Sequence, residues 1–319
     1  MESRVKGARV RAVIREQKIL LIILGIVLVL AFVRPMFVST ENLFNILFQV
    51  SITSIIGIGM SFLMIGADFD LSVGSNMVFA TTVAILLQGL GGGLNLAAAV
   101  LAATLAGFLN GVLVARLKIN SFITTLSMMF FLRGLVLIFT DKKTISGSAE
   151  ALFAFGYGSL FGVIPYPVVA AAVLLVVFGL VLARTVLGRN LYVMGSNAKA
   201  ARMFGINVEG LKIFAFSLTG FLCGLSGIVL LSRLNSASGT YGMDTNLDVI
   251  SGVLLGGVSL SGGEGSVFKA FQGILLLGVL SNAMIALHIT PYLQQVIKGL
   301  LLVAVISLDS YQAKKAEFR

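Results

Sequence analysis

Ten apolar runs dominate this chain, at about residues 19–33, 43–65, 75–90, 94–115, 121–140, 163–183, 211–232, 247–258, 268–287 and 292–308. A helix needs about 20 mostly apolar residues to cross a bilayer, so most of these runs are long enough to span and the eighth is too short to cross alone. Composition agrees: 58% of the 319 residues are apolar and 11% are charged, where soluble chains carry roughly 25% charged residues. The fold class is therefore an all-α polytopic membrane protein of about ten transmembrane helices. One His, one Cys and no Trp exclude His/Cys metal clusters and disulfide frameworks, and the lone Cys223 reads as a small buried hydrophobe.

Ten spans put both termini on one side, and basic residues mark the cytoplasmic side. By this topology 17 of the 23 Lys and Arg lie on the side of the termini, against four on the other side: Arg34, Lys142, Lys143 and Arg233. Both termini are thus expected in the cytoplasm. The formal charge of +10 becomes a topology label, with anionic lipid headgroups rather than nucleic acid as its partner. The chain divides into a basic N-terminus (1–18), a transmembrane domain (19–308) and a C-terminal tail (309–319). No small-x-small cleavage site follows the first run, only Phe32-Val33-Arg34-Pro35, so it reads as an uncleaved helix.

Two segments mix Gly, Ser and acid inside this apolar pattern: Gly66 to Ser75, with Asp68, Asp70 and Ser72, and Gly256 to Ser266. Such breaks at membrane depth line a cavity or are buried in protein, and paired breaks point to a transport site. Each also reads as a turn between helices, so whether 247–265 crosses or re-enters stays open. A weak repeat matches Asn110-Gly111 with Asn282-Ala283, and Arg133-Gly134 with Lys298-Gly299. It suggests two five-helix halves inverted in the membrane. Arg133 and Lys298 lie inside spans and are expected to reach an interface by snorkelling or to face protein or water.

Among polar groups, Gln49, Asn76, Asn110 and Asn282 are amides within spans. They are candidates for a translocation path, with Asp70 and Ser72, or for bonds between helices. Asp70 suits capping of the helix that starts near Val73 better than direct contact with a sugar. Between the sixth and seventh spans, Asn197 is a fit N-cap, Ala198 to Phe204 a short helix and Gly205 a fit stop. That helix offers Ala and Phe knobs with basic edges, a surface suited to docking.

These elements, in this order, resemble the ribose-type permeases of bacterial ABC sugar importers from about residue 40 to 305. The carrying residues are Asp70-Leu71-Ser72-Val73-Gly74, Asn110-Gly111, Phe122 to Leu126 and Arg133-Gly134. They continue through Gly188-Arg189, Tyr192, Gly195, Asn197, Ala200-Ala201, Gly205-Ile206 and Leu247-Asp248, then Gly256-Gly257 and Gly262-Gly263-x-Gly265. Ala67-Asp68-Phe69 and Val249-Ile250-Ser251 depart from the family's usual Gly-Gly-Ile and Ala-rich runs. The resemblance implies a type II-like permease in the bacterial inner membrane whose 184–212 loop couples to an ATPase through Gly188, Arg189, Tyr192, Gly195, Asn197, Ala200, Ala201, Phe204 and Gly205. It also implies a second permease subunit, identical or paralogous, and an extracytoplasmic sugar-binding protein. No Gly-x-x-x-x-Gly-Lys-Ser/Thr loop occurs in this sequence, so ATP and Mg are expected on the partner ATPase, with no cofactor in this chain. Two rival readings are an ion-coupled transporter using Asp68 and Asp70, and an intramembrane serine protease using Ser226, in Gly224-x-Ser226-Gly227, with His288.

Overall fold

The computed structural model describes residues 17–91, 93–147 and 155–317; most of the basic N-terminus expected at 1–18 lies outside them. The described residues are helical almost throughout. Six helices are long and apolar enough to cross a membrane: α2 (Thr40–Ile65), α4 (Leu94–Ala115), α5 (Ser121–Phe139), α6 (Tyr166–Arg184), α9 (Val208–Leu234) and α11 (Val267–Ala286). Four further apolar helices are α1 (Lys18–Val33), α3 (Val73–Leu86), α10 (Thr245–Leu255) and α12 (Pro291–Glu317), the last apolar to Ser307 and helical on to Glu317. Two short helices, α7 (Val186–Ser196) and α8 (Ala198–Met203), join α6 to α9.

Following the chain, the connections gather on two faces. One, here the near face, carries 66–72, 116–120, 185–207 and 256–266; it is tied together where the Gly263 N–H donates to the Ile65 carbonyl at 2.8 Å. The far face carries two small antiparallel ladders, β1 (Ile145–Ser146) with β4 (Ser236–Ala237), and β2 (Ser159–Leu160) with β3 (Ile164–Pro165).

Burial decides which helices are central. In α2, 83% of the most apolar 18-residue window is buried, against 28% in α5 and 22% in α6. Hence α2 is the core post, while α5 and α6 turn most of their surface outward. Glycines spaced four residues apart form close-packing faces between helices. Gly107 and Gly111 of α4 lie against Gly220 and Ile213 of α9, Gly224 lies against Val100, and Gly252 of α10 and Gly256 at its C-terminal cap lie against Ile274 and Ala270 of α11.

Neither α3 nor α10 can cross alone: 14 and 11 residues reach about 21 and 17 Å at roughly 1.5 Å per residue, short of a core about 30 Å thick. Both begin in the interior. Thr81 of α3 donates to the Gly227 carbonyl at 3.1 Å, seven residues from the far end of α9, which places Val73 deep in the protein. The other half-helix, α10, ends beside the near-face start of α11, so Thr245 is its deep end. There the two starts meet: a Cβ on Gly74 would strike the Gly242 carbonyl and crowd Thr245. From that junction α3 runs to the far face and α10 to the near face.

The break belonging to the eighth apolar run is thus not at 256–266, which forms a turn at the near face. It lies before the run, where 238–244 descends from β4 to the junction. In the sequence this stretch reads as an exposed loop, because Ser, Gly, Thr and Asp suit a surface turn equally well.

Candidate functional site

Two regions carry the candidate residues: the near-face helices α7 and α8, and the intramembrane junction.

At the near face, the starts of α7, α8 and α9 are each closed by a side chain. Thr185 accepts from the Gly188 N–H at 3.3 Å, Asn197 from the Ala200 N–H at 3.0 Å and Asn207 from the Gly210 N–H at 2.9 Å. Gly205 then takes a positive φ of 77°, the left-handed stop that ends α8. The nine residues the family resemblance assigns to this loop separate into two sets. Gly188, Gly195 and Ala201 are buried, and Gly195 sits where any Cβ would overlap the Ile65 carbonyl. Tyr192 belongs with them: its hydroxyl donates to the Gly265 carbonyl at 2.8 Å, and burial pushes its pKa up, which keeps the phenol a neutral donor. Arg189, Asn197, Phe204 and Gly205 face outward and Ala200 is half-buried. Phe204 is 82% exposed and Met203 88%, flanked by exposed Lys199 and Arg202. The first set fastens α7 and α8 to the membrane helices; the second presents an apolar knob in a basic rim.

Within the membrane, the first break is closed on itself. Asp70 Oδ1 accepts from the Ser72 N–H at 2.7 Å and from its hydroxyl at 2.6 Å, and Asn110 Nδ2 lies 3.4 Å from Oδ2 and 3.2 Å from Ser72 Oγ. Asp70, Ser72 and Asn110 are each at most 1% exposed. Asp68 is buried too and pairs with Lys212 at the start of α9. An ion-coupled carrier needs a free carboxylate that ions reach; Asp70 is enclosed and Asp68 is already paired with Lys212.

The remaining amides part company. Asn76 Nδ2 donates to the Ala103 carbonyl on α4 at 3.0 Å, and Asn282 exchanges two hydrogen bonds with Asn42 at 3.0 and 3.1 Å, so both join helices. Gln49 is exposed and shares a small cavity with Asp248 and Ser281.

The second break is open. Arg133 on α5 donates to the Tyr241 carbonyl at 2.7 Å, beside a cavity of about 210 Å³ that also exposes Gly74 and Asn246. On the other side of the same segment, Lys298 of α12 pairs with Asp248 at 2.9 Å, and Gln295 Nε2 donates to Asp244 at 3.2 Å, beside a cavity of about 280 Å³. The two cations matched by the sequence repeat therefore converge on residues 241–248. Neither is explained by snorkelling alone, because each head group has a partner inside the protein. Sequence reasoning singled out Lys298 and noted Leu247-Asp248, yet it missed Asp244 and Gln295. The signal for them was the acid pair 244 and 248, four residues apart, flanking the start of a run too short to span.

Ser226 is fully buried; its hydroxyl donates to the Ile52 carbonyl at 2.9 Å and lies 3.4 Å from Met77 Sδ. His288 lies in a far-face hollow with Arg34 and Glu41. No hydrogen bond joins the two among the described residues, so the geometry offers no nucleophile and base.

Comparisons with known proteins give the family. Residues 42–306 match the family described as the branched-chain amino acid transport system / permease component. The ribose import permease protein RbsC of Haemophilus influenzae is 34% identical over 321 residues, covering 99% of each chain. The L-arabinose transport system permease protein AraH of Escherichia coli is 38% identical over 282 residues, 88% of this chain and 86% of its own. Escherichia coli RbsC is 35% identical over 306 residues, 94% of this chain and 95% of its own. No solved structure matches.

Proposed function

The chain belongs to the branched-chain amino acid transport system / permease component family, and from that premise we propose that it imports a monosaccharide of the ribose or arabinose class. It is the membrane-spanning subunit of an ATP-binding-cassette importer and not itself an enzyme. Its near face is the cytoplasmic one, which the 17-to-4 split of basic residues supports, and both termini lie in the cytoplasm. A separate ATPase subunit binds ATP and Mg and seats on α7 and α8. The largely uncovered α5 and α6 leave room for a second permease, identical or paralogous, and a binding protein delivers sugar at the far face.

The observation that carries this reading is the exposed Phe204 and Met203 knob on a helix pair fixed to the core through Gly195 and Tyr192. Closure of the ATPase pair pushing on that knob reaches Ile65 and Gly265 directly. A push changes the direction the permease faces only if it favours one state over the other; ATPase closure supplies that bias and the linkage carries it to the membrane helices.

The test is ATP-driven sugar uptake in vesicles holding the assembled complex. Arg189→Glu or Ala200→Trp should cut uptake at least tenfold while the amount of permease in the membrane is unchanged. Normal coupled uptake in both variants, or uptake that needs no ATP and collapses with an ionophore, overturns the reading.

A further inference from the structure

We propose that the cavity between α10 and α12, walled by Asp244, Asp248, Gln295 and Lys298, is the subsite through which the sugar passes the middle of the membrane. This rests on the import reading above and goes beyond it by assigning residues.

Three observations carry it. First, the cavity of about 280 Å³ approaches the roughly 300 Å³ at which small-molecule pockets begin, a volume suited to one sugar ring. Second, its polar groups are only partly engaged with each other. Asp244 and Asp248 each offer more acceptor positions than the Gln295 and Lys298 contacts at 3.2 and 2.9 Å fill, and an ammonium carries three donors. Free acceptors beside free donors fit hydroxyl groups, which are both, while Leu247 and Leu302 supply apolar surface for a sugar's C–H face. Two carboxylates against one ammonium disfavour an anionic cargo.

Third, the wall is open. Asp244 and Gln295 are exposed, as is Gln49 in the adjoining hollow that Asp248 shares. Ionised and amide groups at this depth do not face hydrocarbon; they face protein or a water-filled cavity. The cavity therefore opens toward the path. The closed cluster at Asp70 has no such opening.

The experiment uses the whole complex, permease with its ATPase and binding protein, in vesicles supplied with ATP and radiolabelled D-ribose or L-arabinose. Cys223 is fully buried and serves as a silent background. Gln295→Cys should react with a membrane-impermeant methanethiosulfonate, the reaction should abolish uptake, and either sugar during turnover should slow the labelling at least fivefold. Asp244→Asn, and the paired change Asp248→Asn with Lys298→Gln, should each lower uptake at least tenfold at an unchanged amount of complex in the membrane. An inert Gln295→Cys, labelling that sugar does not slow, or unchanged uptake in the Asp244 and paired variants overturns the subsite and leaves the import reading standing. Absence of ATP-driven uptake of both sugars by the unaltered complex overturns the import reading itself.

Discussion

The two broken spans have the same ingredients and opposite fates. Residues 66–72 and 238–244 both lead, through Gly and an acid, into a half-helix that starts in the interior. In the first, Asp70 collects the Ser72 and Asn110 donors and is 1% exposed, and Asp68, 7% exposed, holds Lys212. In the second, Asp244 and Gln295 stay exposed, and the Asp248–Lys298 pair keeps about a quarter of each side chain accessible. An acid inside a span is therefore not by itself a transport residue. What separates structure from path is whether the surrounding helices close over it, and here α4 and α9 close over the first while α12 leaves the second open.

The largest effect that tests this contrast is expected at Asp70. Asp70→Ala leaves the Ser72 and Asn110 donors without an acceptor in a sealed site, a loss on the order of 4 kcal/mol, read as a lowered melting temperature and poor accumulation in membranes. A variant as stable as the parent would show that the first break is not closed. Next comes Lys298→Met. Its partner keeps partial access to solvent, so the cost is about 1 kcal/mol, nearer to a surface pair than a buried one. A cost equal to that of Asp70→Ala would erase the difference between the two breaks. Smallest is Asp244→Asn, expected within about 0.5 kcal/mol of the parent, since the side chain is exposed and an amide still accepts from Gln295. A clearly larger drop in thermal stability would make Asp244 a structural residue like Asp70.

Much of this was legible in the sequence for a simple physical reason: apolar runs are local. Helix existence follows from run length, and the caps of α8 follow from Asn197 and Gly205, whose chemistry acts within four residues. The half-buried role of the near-face loop was not legible. Gly188 and Tyr192 look alike as family positions, yet both fasten α7, whereas Arg189 between them points outward. The second break also escaped, since Ser238 to Asp244 has the composition of a surface loop and its depth depends on where α3 begins. Likewise Asn110 and Asn282 match each other in the repeat, but one meets Asp70 and the other Asn42, 240 residues away in the chain.

The sequence by itself determined a greasy, helical, multi-pass chain with basic near-face loops, because the cost of moving a residue into a bilayer depends mostly on the residue and its neighbours in sequence. Only the tertiary structure decided which acids are sealed and which are open, and that Arg133 and Lys298 converge on one segment. Those outcomes are set by which helix covers which, through contacts between residues far apart in the chain, such as Gly74 with Gly242 and Gly107 with Gly220, and no local pattern encodes them.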